Sequence, residues 1–129
     1  MAEKDVVRTD RAPGPFQGAP YNQAIRVGDL VFVAGQLGIS LETGALVGAG
    51  VAEQTEQIMA NLGAILEAAG SGLDRLVKTT VFLMDLGDFA AMNDVYAKHV
   101  GERPPARSTV QISRLPSGAL VEIEAIAHS

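Results

Sequence analysis

Apolar residues along this chain recur with two different periods. In Ala24–Leu37 (AIRVGDLVFVAGQL) they alternate with other residues on either side of Gly28-Asp29, the pattern of two short strands joined by a hairpin. Residues 51–69 (VAEQTEQIMANLGAILEAA) change period. Ile58, Leu62, Ile65, Leu66 and Ala69 recur at three- and four-residue spacing, with Glu53, Glu56 and Glu67 on the wet side. That spacing predicts an amphipathic helix, ended by Gly70, which can adopt the left-handed conformation. Leu76–Met84 (LVKTTVFLM) is β-branched and apolar on both sides and predicts a buried central strand. Asp88–Val100 returns to helical spacing, with Phe89, Met92, Val95, Tyr96 and His99 on one face and Asp88 as the N-cap. Gly101 and Pro104-Pro105 close it. Arg107–Ser113 and Leu120–Ala127 read as two more strands joined by RLPSGA. Gly44–Val47 reads as a short edge strand, and the Pro- and Gly-rich residues 11–20 as a loop.

The predicted order is β-β-β-α-β-α-β-β, an α+β arrangement of one sheet and two helices. Two helices cover only one face of such a sheet. Yet VFVAG, VKTTVFLM and LVEIEAIA are apolar on both sides, so the second face predicts burial against other copies of the chain.

A length of 129 residues predicts a single domain spanning 1–129. Ten basic and fifteen acidic residues give a net charge of −5, and the basic ones are scattered. Without a Lys/Arg cluster to displace counterions, nucleic acid and anionic membrane are poor partners. The absence of Cys excludes disulfides, cysteine nucleophiles and thiolate metal sites. No apolar run approaches a membrane span and no secretory-type apolar stretch opens the chain, so the cytoplasm is the expected compartment.

Candidate chemistry is sparse. His99 and His128 are the only histidines and form neither HxH nor HxxxH, so no metal site is expected. Gly14, Gly18, Gly35 and Gly38 do not form a phosphate-cradling motif, and Ser108 has no neighbouring base. Arg107 is more informative. It opens a strand in which Arg107, Thr109, Gln111 and Ser113 alternate onto one face, while Glu122 and Glu124 share one side of the last strand. By pattern alone these residues fit a solvated face or structural ion pair as well as a site. An Arg fork with a carboxylate nearby suits a small carboxylate substrate and a positioned water.

The same residues carry a family resemblance. APGPFQGAPYNQAIRVGDLVFVAGQLG, NLGAILEAAGSGLDRLVKTTVFLMDLGDFAAMNDVYAKHV and PARSTVQISRLPSGALVEIEAIA resemble, in order, the opening, central and C-terminal blocks of the RidA (YjgF) family. The resemblance runs from about Arg11 to Ala127. It implies a chorismate-mutase-like fold: a single mixed sheet, two helices on one face, and a barrel-like homotrimer with sites between subunits. It also implies that the last strand inserts centrally, beside the strands at 30–35 and 76–84, rather than forming a hairpin with Arg107–Ser113.

The implied activity is hydrolysis of reactive enamines and 2-imino acids, of the 2-iminobutyrate and 2-iminopropanoate type, to 2-keto acids and ammonia without a cofactor. Arg107 matches the residue that grips the substrate carboxylate, and Glu122 the one that positions the hydrolytic water. Tyr21, Gly35, Asn93 and Thr109 match further substrate-binding positions. The chain departs from the family pattern at Ala34, where a pocket serine is usual, and at Asn22 in PYNQ. Two rival readings accompany this one: a keto-acid-binding regulator without turnover, and an endoribonuclease-type translation inhibitor, against which the acidic charge counts.

Overall fold

In the computed structural model, which describes residues 3–129, every alternating segment joins one six-stranded sheet. The strands are β1 (Lys4–Val7), β2 (Ala24–Val27), β3 (Leu30–Gln36), β4 (Leu76–Leu83), β5 (Ala106–Gln111) and β6 (Val121–His128). They lie in the order β1-β2-β3-β6-β4-β5, with only β4 and β5 parallel. The last strand is therefore central, between β3 and β4, as the resemblance implies and a hairpin reading does not.

Helices α1 (Val51–Ala68) and α2 (Phe89–Val100) both pack on one face of the sheet. Val31, Val33, Val81, Leu83, Val121, Ile123, Ala125 and Ala127 point into that layer. There they meet Ile58, Met59, Leu62, Ile65 and Leu66 of α1 and Met92, Tyr96 and Val100 of α2. Gly70 follows α1 with φ +80°, and Ser71 N donates to Leu66 O across the turn, which accounts for the helix ending there.

The other sheet face has no helix over it. Phe32 is 43% exposed and Val110 41% exposed, with Ile25, Phe82 and Ile126 half-buried on the same side by register. This apolar surface is the uncovered face that the sequence pattern predicts.

Three local expectations need correction. Gly44–Val47 forms no strand; Leu46 makes only an isolated bridge to Ile39. The first strand is instead Lys4–Val7, whose single buried side chain, Val7, leaves no alternating signature. Asp88 sits at the N-cap of α2 but its side chain bonds nothing there. Asp85 does the capping one turn earlier, where its Oδ1 accepts from Gly87 N at 2.7 Å. No helix of the described residues is long and apolar enough to cross a membrane.

Candidate functional site

β5 lies at the sheet edge beside β4, with Arg107 paired to Thr79 and Thr109 to Val81. Thr79 and Val81 are buried beneath the helices, so Arg107 and Thr109 leave the strand on the helix side. There the Arg107 guanidinium carbon lies 4.9 Å from the Tyr96 ring centroid and 5.4 Å from that of Phe89, both on α2. Among the described residues no carboxylate comes within 4.0 Å of Arg107; the ion pairs present are Arg11–Glu67 and His99–Glu56. A half-buried guanidinium that lies over two ring faces and meets no carboxylate has N–H donors to offer an incoming anion.

Asn93 lies four residues after Phe89 and three before Tyr96, on the same face of α2. Its Oδ1 is buried with no hydrogen-bond partner among the described residues. Tyr96 is 4% exposed, and its hydroxyl is 2.6 Å from Thr79 Oγ1. Burial pushes the Tyr96 phenol up from its ordinary value despite the Thr79 bond and the charge and hydrogen bonding of Arg107, so the hydroxyl stays neutral.

Glu122 belongs to the opposite face. It pairs with Phe82 across β4, between the buried Val121 and Ile123, and so points away from the helices. On its other side β3 carries a bulge: Val33 pairs with Ala125 and Gln36 with Ile123, so Ala34 and Gly35 together oppose Glu124 alone. Such bulges re-aim a strand locally. Here the bulge brings the Gly35 backbone against the Glu122 side chain, so closely that a Cβ on Gly35 would sit 2.8 Å from Glu122 Cδ. Only glycine leaves the carboxylate its place.

Glu122 and Gly35 share a cavity of about 90 Å³ with Tyr21, otherwise lined mostly by the apolar side chains of Pro13, Phe16, Leu37, Ile39 and Pro116. Burial raises the Glu122 pKa above its ordinary value, and the charge of Glu124 adds to the rise. The Tyr21 hydroxyl accepts from Phe16 N at 2.5 Å and ties the Pro-Gly loop to the cavity mouth. Buried Gln23 holds the same loop, its Nε2 donating to the carbonyls of Thr9, Ala12 and Pro13 and its Oε1 accepting from Thr9 N.

The site residues named from sequence thus fall into two groups. Arg107, Thr109 and Asn93 lie on the helix side of the sheet edge; Tyr21, Gly35 and Glu122 lie around a cavity on the other face. One chain does not bring them together. In the sequence, Tyr96 and Phe89 read as members of the apolar face of α2, because a seven-residue separation is also core spacing. Their role as ring faces for Arg107 becomes visible only once β5 is seen beside β4. Among the described residues no three His, Asp or Glu side chains gather as a metal site. His99 instead bridges the helices, its Nε2 2.6 Å from Glu56 Oε2.

Comparison with known proteins shows the family to which the chain belongs. A family model described as endoribonuclease L-PSP matches residues 11–129. A RutC family protein of Pyrococcus abyssi is 51% identical over 125 residues, covering 97% of each chain. The human 2-iminobutanoate/2-iminopropanoate deaminase is 42% identical over 122 residues, covering 95% of this chain and 88% of that one. The crystal structure of RidA from an Antarctic Psychrobacter superposes with a TM-score of 0.91 at 43% identity, covering 97% of this chain and 99% of that one. With sequence and fold matched over nearly their whole length, the chain belongs to the RidA (YjgF) family.

Proposed function

We propose that this protein hydrolyses 2-imino acids to 2-keto acids and ammonia, as a homotrimer whose sites form where the Arg107 side of one copy meets the Glu122 side of the next. The observation that carries this reading is the division of the site. An anion-ready guanidinium and a carboxylate of raised proton affinity lie on opposite faces of one sheet, and the Glu122 face is apolar and uncovered. Cyclic association covers such a face and joins two half-sites at each interface.

Arg107 binds the substrate carboxylate with its two-pronged fork and fixes C2, with Thr109 and Asn93 beside it. An enamine first tautomerises to the imine. On the protonated imine, Glu122 orients a water and takes one of its protons as the oxygen attacks C2; the C=N π pair moves onto nitrogen, giving a neutral carbinolamine. The same carboxyl returns the proton to the nitrogen, the C–N bond breaks with release of ammonia, and the C2–OH gives its proton back through the Glu122 carboxylate to that ammonia, leaving the ketone and ammonium. A carboxyl whose pKa is raised towards the working pH serves better in both directions than one at its ordinary value. A positioned acid–base group of this kind contributes about 10²–10⁴ in rate. Tyr21 and the apolar cavity wall receive the aliphatic side chain of the substrate.

The endoribonuclease reading has the family model's description behind it. A net charge of −5 with scattered basic residues favours the small-acid substrate instead. The test is a coupled assay in which an amino-acid oxidase generates the imine and semicarbazide traps it. Addition of the protein is expected to lower the trapped product at a rate proportional to protein concentration. Trapping at the buffer rate at every concentration overturns the proposal.

A further inference from the structure

We propose that Tyr96, anchored by Thr79, is the positioning residue that aims the Arg107 guanidinium and so sets affinity for carboxylate ligands without touching them. The inference rests on the reading of Arg107 as the carboxylate grip. Arg107 has a long, many-jointed side chain and no carboxylate partner among the described residues, so ion pairing does not fix its direction. What meets the guanidinium is the aromatic side of α2, the rings of Phe89 and Tyr96 with the Tyr96 hydroxyl close by. Phe89, at the first turn of α2, is 41% exposed and free to shift. Tyr96 is the nearer ring, and it is buried.

The geometry closes a loop. Thr79 is the β4 residue paired with Arg107 in the parallel β4–β5 ladder. Its hydroxyl, fully buried, meets the Tyr96 hydroxyl at 2.6 Å, and the Tyr96 ring lies against the Arg107 guanidinium. The main chain at Arg107 and its own charged end are thus tied through one threonine and one tyrosine. Val and Phe would fill the same two places with apolar atoms alone. A buried hydroxyl pair fills the space no better and costs stability if either partner is lost. Its effect is to fix the ring plane that the guanidinium rests on.

The test uses the full chain with Arg107→Ala, Tyr96→Leu, Tyr96→Phe and the double variant Arg107→Ala/Tyr96→Leu. The readouts are 2-ketobutyrate affinity by calorimetry, KM and kcat for imine hydrolysis, and Tm. A desolvated cation–ring contact is worth enough that Tyr96→Leu is expected to weaken keto-acid binding about tenfold and raise KM alike, with kcat changed much less. Tyr96→Phe keeps the ring but loses its anchor and is expected to lose about threefold in affinity, a partial rescue relative to Leu. In the Arg107→Ala background, Tyr96→Leu is expected to add nothing, because its effect passes through the arginine.

If both Tyr96 variants bind 2-ketobutyrate as the parent does, with only Tm lowered, Tyr96 is a core residue and the inference is wrong. It is equally wrong if the two substitutions are additive in the double variant. Should Tyr96→Leu fail to fold, Tyr96→Phe with unchanged KM is enough to overturn it. If Arg107→Ala itself binds the keto acid normally, it is the carboxylate-grip reading that falls, a separate result.

Discussion

Adding one methyl group at Gly35 separates the position of the Glu122 carboxylate from the stability of the fold. In Gly35→Ala the new Cβ would lie 2.8 Å from Glu122 Cδ, 2.9 Å from Oε1 and 3.1 Å from Cγ. Carbon atoms in contact sit about 3.5–4.0 Å apart, so the carboxyl must retreat by about 0.7 Å or more. A displacement approaching 1 Å in a reacting group costs about 10²-fold in rate, so kcat for imine hydrolysis is expected to fall by about 30- to 100-fold. The atoms that clash are the free end of a flexible side chain, which swings away at small cost. Gly35 does not have the positive φ that would strain alanine, and losing a glycine stiffens the unfolded chain by about 0.4–1 kcal/mol. These opposed effects leave Tm within about 5 °C of the parent. The assay is the coupled imine trap with thermal melting on the same preparation. A Gly35→Ala protein that turns over at the parent rate refutes the placement of Glu122 as the proton-transfer group. A large drop in Tm that parallels the lost activity shows instead that Gly35 serves packing.

Further outcomes follow from the same geometry. Arg107→Ala is expected to weaken keto-acid binding about 10²-fold, still within reach of calorimetry at high ligand concentration, and to abolish turnover; Arg107→Lys is expected to restore little, because an ammonium does not reproduce the planar fork. Glu122→Gln is expected to keep 2-ketobutyrate binding while kcat falls about 10²-fold or more; calorimetry beside the imine assay separates the two. Glu122 also makes a prediction about stability. Its folded pKa is raised above the unfolded value, so its stabilising contribution is full below the unfolded pKa and lost as pH rises through the folded one. Melting curves should therefore show Glu122→Gln gaining on the parent at about pH 7 and losing that gain at about pH 4; a structural ion pair predicts the opposite order at neutral pH. EDTA is expected to leave turnover unchanged, and loss of activity that Zn²⁺ or Mn²⁺ restores would overturn the metal-free mechanism.

Much of the fold was legible because its elements have long, clean periods. α1, α2, β3, β4 and β6 each bury alternating or helical sets that match the sequence pattern. β1 was not, because an edge strand with one buried valine has no alternation to read. Gly44–Val47 misled because its turn residues border apolar ones without a neighbouring strand to pair with along its length. The central place of β6 is a long-range pairing that local pattern cannot distinguish from a hairpin; the family resemblance supplied it. Glu122 was visible as a charge in an apolar strand, and Arg107 as the lone charge of a polar stripe. What no spacing revealed is that they face opposite ways, since that depends on which face each strand turns to the helices. The Thr79–Tyr96 pair was hidden for a related reason, as both residues sit at core positions of their own elements.

Complementation between two inactive variants tests the shared-site account most directly. Arg107→Ala retains Glu122 and Glu122→Gln retains Arg107, so neither makes a complete site with copies of itself. Co-refolded in equal amounts, they assemble at random, and about a quarter of the interfaces in a cyclic trimer join an intact Arg107 to an intact Glu122. Imine hydrolysis is expected to return to about a quarter of the parent rate, while each variant refolded alone stays inactive. A co-refolded mixture whose subunits have exchanged, yet no more active than its two components apart, would show that sites between neighbouring copies do not exist.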